Sequence, residues 1–312
     1  MAGHLALGID TSNYATSMAL LDIAANTLLW AEKRFLPVKP GELGLRQNDT
    51  LFHHTVALPQ LLQALAARQD LSGVAIVGVS ERPRPVNGSY MPCFLAGVSF
   101  GSAFAAAAGV SLVKTSHQEG HLAAALAELD RPQFMGRPYL FMHVSGGTTE
   151  WWLAQGAAPL QRLGGSLDLN AGQLLDRLGV ELGHAFPAGA AVTDLALGCT
   201  EDVPPKTSVK GLDCNLSGLQ NQYGKMLQSG RDAGAVAKFC LLSLAHSFLA
   251  VIAVVRRQYP GIPVVCAGGV MCSTVIRDIM CAEETDLYFV SPQYSSDNAI
   301  GVAWLAGEAL HG

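Results

Sequence analysis

Residues 8–17 read GIDTSNYATS. A turn rich in Ser, Thr and Asn separates two apolar runs, HLALGID (4–10) and ATSMALLD (15–22), and the pattern predicts a β-hairpin. A third run, TLLWAEKRF (27–35), extends it. Beyond it the pattern changes to strand followed by helix. A helix is predicted from about Thr50 to Arg68, a strand at AIVGVS (75–80) and a small-residue helix over Phe94–Ala108. A strand at VSLVKTS (110–116) and a helix over His117–Leu129 complete the series.

The second half repeats this grammar. YLFMHVSGGTTEWWLA (139–154) reads as strand, glycine turn, strand. Helices are expected at about 170–184, 235–257, 273–282 and 297–310, with strands at VVCAGGV (264–270) and DLYFVSP (286–292). Two halves, each opened by a Ser/Thr/Gly-rich hairpin and continued by alternating strands and helices, imply an α/β protein of two lobes. That organisation resembles the actin-like ATPase architecture of sugar kinases, heat-shock 70 proteins and actin. There both turns face an interdomain cleft and grip nucleotide phosphates. The expected boundaries are 1–135 for the first lobe, with a closing helix at 297–312 packing back on it, and 138–295 for the second.

With half of its 312 residues hydrophobic and only 14% charged, the chain can build a sizeable core. No run of 18 uninterrupted apolar residues occurs. The best candidate, Phe239–Val255, contains His246 and two serines and is expected to be a buried helix. MAGHLALGID lacks a basic leader and turns straight into a strand pattern, so a cytoplasmic protein with no membrane partner is expected. Seven cysteines without a CxxC pair read as small buried hydrophobes in a reducing compartment. A net charge of −5 gives no overall basic footprint for nucleic acid. Residues 203–257 are locally basic, however. Lys206, Lys210, Lys225, Arg231, Lys238, Arg256 and Arg257 stand against Asp213 and Asp232. The stretch is either a solvated face or a docking patch for RNA or an acidic partner.

Four motifs carry candidate chemistry. In HQEGH (117–121), His117 and His121 sit at i and i+4, so both rings share one helix face and can point at one ion. Asp297, in SSDNA (295–299), is the candidate third ligand. Chance histidine pairs on helices are common, and the spacing alone leaves metal and packing both open. The zinc-protease HExxH is excluded, because the Glu falls one position late. In VSGGTT (144–149), Val144, Ser145, Gly146, Gly147 and Thr148 offer N–H and hydroxyl groups to a phosphate, or simply turn a hairpin. Gly268 and Gly269, at the end of a strand, leave room for a nucleotide or for a close helix–strand contact. Asp176, in NAGQLLDRLG (170–179), is either a ligand for a ribose or substrate hydroxyl or a surface partner of Arg177 or a neighbour. The adjacent His53 and His54 cannot share a helix face, and packing or solvent contact is their default.

GIDTSNYATS, SHQEGHL, VSGGTTE, AGQLLDRLG with FPAG, NLSGL, AGGV and SSDNA occur in one order, over about residues 8–305. Together they resemble the TsaD family of threonylcarbamoyl transferases, formerly called glycoproteases. The resemblance implies a metal, iron or zinc, on His117, His121 and Asp297. It implies a substrate and phosphate loop at Val144–Thr148 and adenylate contacts at Asp176 and Gly189. Ser273 stands where the family usually has Asn, after the nucleotide glycines Gly268 and Gly269. Asp10, Ser12 and Asn13 are candidate cleft residues, and no residue is assigned as catalytic. The implied activity is an acyltransferase reaction moving threonylcarbamoyl from threonylcarbamoyl-AMP to N6 of adenosine in tRNA. The implied cofactors are one divalent metal and an adenine nucleotide or acyl-adenylate, with magnesium admitted alongside. Partner proteins would help to recruit the tRNA, and a homo- or heterodimer is compatible.

Departures from the family pattern mark a divergent paralogue. Tyr14 and Ala15 replace acids, Asp10 replaces Glu, Thr148 replaces His, and Gln220 replaces Lys. The fold and metal are expected to survive these changes, and stand-alone transfer is expected to weaken. The alternatives are a related carbamoyl or phosphoryl transfer to a small molecule, or an inactive nucleotide-binding partner subunit.

Overall fold

The computed structural model describes residues 4–12, 14–37, 46–129, 133–296 and 298–311. The chain divides into two compact units. The first comprises Met1–Arg131, Gly156–Ala158 and Asp297–Gly312, and the second Pro132–Gln155 and Pro159–Ser296.

In the first unit, β1 (Leu5–Ser12), β2 (Ala15–Asp22) and β3 (Thr27–Phe35) form an antiparallel meander. Next come α1 (Gln47–Ala66), β4 (Val74–Arg82), α2 (Phe94–Ala108), β5 (Ser111–Ser116) and α3 (His117–Leu129). The sheet order is β3-β2-β1-β4-β5, with β4 parallel to β1 and β5 parallel to β4. β1 is apolar almost throughout because both of its faces are covered. Leu5, Leu7 and Ile9 pack with Leu58, Leu61 and Leu65 of α1 and Ala96 and Ala105 of α2. Ala6, one step out of phase, packs with Ala303 and Ala306 of the C-terminal helix (Ala299–His311).

That C-terminal helix rests directly on strand backbone. A Cβ at Gly8 would lie 2.1 Å from the Ala299 carbonyl oxygen, and one at Gly78 would lie 2.5 Å from that of Val302. It crosses α3 in the same way: a Cβ at Gly301 would lie 1.8 Å from the Gly120 carbonyl oxygen. Gly301 therefore permits the helix crossing, while a Cβ at Gly120, the glycine inside HQEGH, would meet the Asn298 side-chain amide at 2.6 Å.

His54 of α1 is fully buried and pairs through Nδ1 with Thr16 Oγ1 at 2.7 Å. Burial pushes its pKa down to about 4, against the pull of the Asp10 carboxylate. The folded value lies below the ordinary one near 6.5, so the unfolded chain takes up the proton first. The resulting stability is complete above pH ~6.5 and is lost as pH falls towards 4, in total about 3 kcal/mol. Urea unfolding at several pH values across that window is expected to show this slope, and His54→Gln is expected to flatten it. An unchanged slope would remove His54 as its source.

The second unit starts with α4 (Gln133–Gly136) and the hairpin β6 (Tyr139–Val144) and β7 (Thr149–Gln155). β8 (Ala158–Ser166), α5 (Ala171–Glu181), α6 (Gly189–Leu197), β9 (Val209–Lys210), β10 (Asp213–Cys214) and α7 (Ser217–Gln228) come next. Then follow α8 (Ala233–Gln258), β11 (Val264–Ala267), a 3-10 turn (Gly269–Cys272), α9 (Thr274–Glu283), β12 (Leu287–Phe289) and α10 (Pro292–Ser296). The sheet order is β12-β11-β6-β7-β8-β10-β9, with β11 parallel to both β6 and β12. α8 is long and apolar enough to cross a bilayer, yet most of its residues lie in the core of this unit. Apolar residues all round a helix are what such a position requires. Trp151 of β7 meets its Phe248 edge-on, with ring centroids 6.1 Å apart.

α4, β8, α6, β9, β10, α7 and α10 were not anticipated. α7 carries few apolar residues, and β8 contains Gly164 and Gly165. α7 is held at its start by Asp168, which accepts from the N–H groups of Leu216 (2.8 Å) and Ser217 and from the Ser217 hydroxyl. The closing helix begins at Ala299, two residues later than expected. Cys93, Cys214, Cys240 and Cys266 are buried, Cys199 and Cys272 are half-buried, and Cys281 is exposed.

Candidate functional site

Two groups of candidate residues lie in separate units. In the first unit, α3 begins with a capping box. The Ser116 N–H donates to Glu119 Oε2 (2.8 Å), and the Glu119 N–H donates to Ser116 Oγ (3.2 Å). The acid of HQEGH thus holds the helix start. It also fixes the turn bearing His117, whose Nε2 lies 3.2 Å from His121 Nε2, with the rings inclined at 74°. Two nitrogens each about 2.0–2.1 Å from one ion at a tetrahedral angle would stand roughly 3.3 Å apart. The separation fits a shared ion, and it equally fits an N–H···N hydrogen bond. Among the described residues no group of three or more His, Cys, Asp or Glu is arranged to hold a metal ion together. Asp297, the expected third ligand, lies outside the described residues, as does Asn13.

His117 Nδ1, on the other side of the ring, lies 3.0 Å from Asp10 Oδ1. Asp10 is only 2% exposed. Its Oδ1 also accepts from the Ser80 hydroxyl and from Asn298 Nδ2 at 3.0 Å. Burial alone would raise this carboxyl's pKa, but His117, Ser80 and Asn298 outweigh it and hold the value at about 2. Sequence reasoning had Asp10 but not Ser80 or Asn298. β1, β4, α3 and the start of the C-terminal helix supply the four residues, and no local pattern links them. Ser12 is half-buried and pairs with Ala15 at the end of the hairpin.

In the second unit, the β6–β7 turn is stapled to α5. The Ser145 N–H donates to the Thr148 carbonyl (2.7 Å), and the Thr148 N–H donates to Ser145 Oγ (3.2 Å). The first N–H groups of α5 are satisfied by this hairpin, Ala171 by Thr149 Oγ1 (2.8 Å) and Gly172 by the Ser145 carbonyl (3.1 Å). A Cβ at Gly172 would lie 2.5 Å from Gly146 N, which explains the glycine of NAGQ. Gly146 and Gly147 are exposed, and their N–H groups have no hydrogen-bond partner among the described residues. Val144 is buried beneath them, and Gly268 presses on it. Gly268 has a φ of +101°, and a Cβ there would lie 2.3 Å from the Val144 carbonyl oxygen. Gly269 beside it is exposed.

Asp176 also stands at this turn, its Oδ2 4.0 Å from where a Gly146 Cβ would sit. Its Oδ1 accepts from the Ala188 N–H at 2.8 Å, tying α5 to the FPAG segment. Burial raises its pKa, against the hydrogen bonds from the Ala188 and Gly189 N–H groups. Arg177 donates instead to Gln220 Oε1 (2.9 Å), so the pairing with Arg177 considered for Asp176 does not form. Thr193 Oγ1 donates to the Gly189 carbonyl, which leaves it to accept from Ser273 Oγ at 3.0 Å. Thr193 joins the candidate set only through the fold.

Of the residues that depart from the family pattern, Tyr14 is 49% exposed and Ala15 is buried. In the basic stretch, Arg231 pairs with Glu201 and Arg256 with Glu284, while Lys238 donates to the Cys199 and Glu201 carbonyls. Three of its seven basic side chains are therefore paired within the chain.

Two α/β units, each opened by an antiparallel hairpin and continued by parallel strands and helices, define the actin-like ATPase fold. Component A of (R)-2-hydroxyglutaryl-CoA dehydratase from Acidaminococcus fermentans matches with a TM-score of 0.60 at 15% identity, over 99% of both chains. The chain belongs to the TsaD family, whose model, tRNA N6-adenosine threonylcarbamoyltransferase, matches residues 48–304. A tRNA N6-adenosine threonylcarbamoyltransferase of Streptococcus suis is 30% identical, over 98% of this chain and 92% of its own. A probable bifunctional tRNA threonylcarbamoyladenosine biosynthesis protein of Methanothermobacter thermautotrophicus is 26% identical over 96% of this chain. This chain spans 55% of that archaeal relative's length.

Proposed function

We propose that the protein transfers a threonylcarbamoyl group from threonylcarbamoyl-AMP to N6 of adenosine in tRNA. The observation that carries this reading is the exposed Gly146–Gly147 turn, braced by α5 and Gly268, with the Asp176 carboxylate beside it. Unbonded N–H groups suit phosphate oxygens, and a neighbouring carboxylate suits a ribose hydroxyl, as an adenylate needs. The Thr193–Ser273 pair would hold Gly189 at that ribose end. In the reaction the N6 amine attacks the carbamoyl carbon, the bond to phosphate oxygen breaks, AMP leaves and the amine loses a proton. The Gly146 and Gly147 N–H groups would favour AMP's departure by stabilising its charge.

His117 and His121 would hold a divalent ion, with Asp297 as third ligand by resemblance to the family. Nitrogen with carboxylate donors suits iron or zinc. Such an ion supplies Lewis-acid polarisation of the acyl group when bound.

The test is an assay with threonylcarbamoyl-AMP and tRNA, alone and with candidate partner proteins. Transfer is expected, but about ten-fold or more slower alone than with the Streptococcus suis relative. Tyr14, Ala15 and Gln220 lack charges that the family carries, and about 1.4 kcal/mol of lost transition-state stabilisation gives that factor. Equal rates would show those positions to be dispensable. Nucleotide binding without transfer under any condition would instead establish a nucleotide-binding partner subunit.

A further inference from the structure

We propose that Asp10 is a positioning residue for His117, holding the proton on Nδ1 so that the Nε2 lone pair faces His121. The inference rests on the metal reading above. One oxygen, Asp10 Oδ1, collects Ser80 Oγ, Asn298 Nδ2 and His117 Nδ1. A ring nitrogen 3.0 Å from a buried carboxylate oxygen is favourable as an N–H donor and unfavourable as a lone pair.

A competing arrangement exists. Asn298 Nδ2 is also 2.8 Å from His117 Nδ1 and could donate to it, which would move the histidine proton to Nε2. That tautomer sets the Nδ1 lone pair against the carboxylate and points an N–H at His121. The carboxylate charge selects the first arrangement, in which His121 donates to His117 until an ion replaces that proton. Ser80 and Asn298 hold the carboxylate, and Gly120 leaves room for Asn298: a Cβ there would meet its side-chain amide at 2.6 Å. Carboxylates that orient a ligating histidine through its second nitrogen change metal affinity about 10–100-fold when lost.

Nitrogen-15 NMR of metal-free, histidine-labelled protein, with zinc titration against a competing chelator, tests this. Wild type is expected to show His117 protonated on Nδ1. Asp10→Asn, whose amide can donate to Nδ1, is expected to move the proton to Nε2 and weaken zinc binding about 10–100-fold. Ser80→Ala, which removes one donor to the carboxylate, is the milder variant should Asp10→Asn not fold. It should weaken zinc binding less but measurably. A variant that folds, keeps the wild-type tautomer and binds zinc equally overturns the inference alone. A wild type that binds no zinc overturns the metal reading and this inference with it.

Discussion

Protein carrying both His117→Ala and His121→Ala is expected to purify with a tenth or less of the wild-type iron or zinc. The imidazoles converge on one another at 3.2 Å from a single face of α3, and the exchange removes both nitrogen donors at once. Losing one orienting partner costs about 10–100-fold in affinity, and losing two ligands should cost more. An ion held at about a thousand times its dissociation constant adds roughly 4 kcal/mol to folding stability. The variant should therefore also unfold at a lower temperature than metal-loaded wild type. Chelator-stripped wild type should unfold where the variant does, which separates loss of metal from damage to the helix. Elemental analysis of tag-free protein is the direct measurement, and full metal retention by the double variant would remove both histidines from the metal reading.

Gly301→Ala is expected to be among the most damaging single-methyl changes. The new Cβ would sit 1.8 Å from the Gly120 carbonyl oxygen and 2.5 Å from the Ala124 N. Both are backbone atoms of α3, so no side chain can swing aside, and the two helices must separate. Overpacking of this kind costs about 3 kcal/mol or more. For a unit of this size that lowers the unfolding midpoint by roughly 6–12 °C. Moving α3 also shifts His117 and His121 relative to Asp10 and Asn298, so metal content should fall as well. Gly224→Ala, in the middle of α7, is the control. A Cβ there meets nothing within 4 Å, and alanine's better helix propensity should leave stability unchanged or raise it by up to about 1 kcal/mol. Equal midpoints for the two variants, measured by differential scanning calorimetry, would mean that the helix crossing can relax.

Much of the protein follows from its sequence alone. The two hairpins are legible at GIDTSNYATS and VSGGTTE because apolar runs around Ser, Thr and Gly have few other ways to fold. The i, i+4 spacing of His117 and His121 sets both rings on one face of any helix that forms there. The buried course of α8 is implied by apolar residues on all of its sides. These are local properties, carried by backbone geometry and solvent preference over a few turns or strands. The elements that the sequence pattern does not predict include α4, α6, α7, α10 and β8 to β10; several are only a few residues long, α7 is mostly polar and β8 contains Gly164 and Gly165, so tertiary packing decides them.

What only the tertiary structure decided are the meetings of distant residues. Asp10, Ser80, His117 and Asn298 come from four elements and share one carboxylate oxygen. Ser145 and Thr149 cap α5, and Thr193 takes the Ser273 hydroxyl. Glu119, whose position excludes HExxH chemistry, completes a capping box with Ser116. Gly8, Gly120 and Gly301 look like loose positions in the sequence but are points where backbone lies against backbone or a buried amide. A buried polar group must find a partner, and a helix must find a surface that admits it. Neither requirement specifies which residue will answer it until the chain has folded.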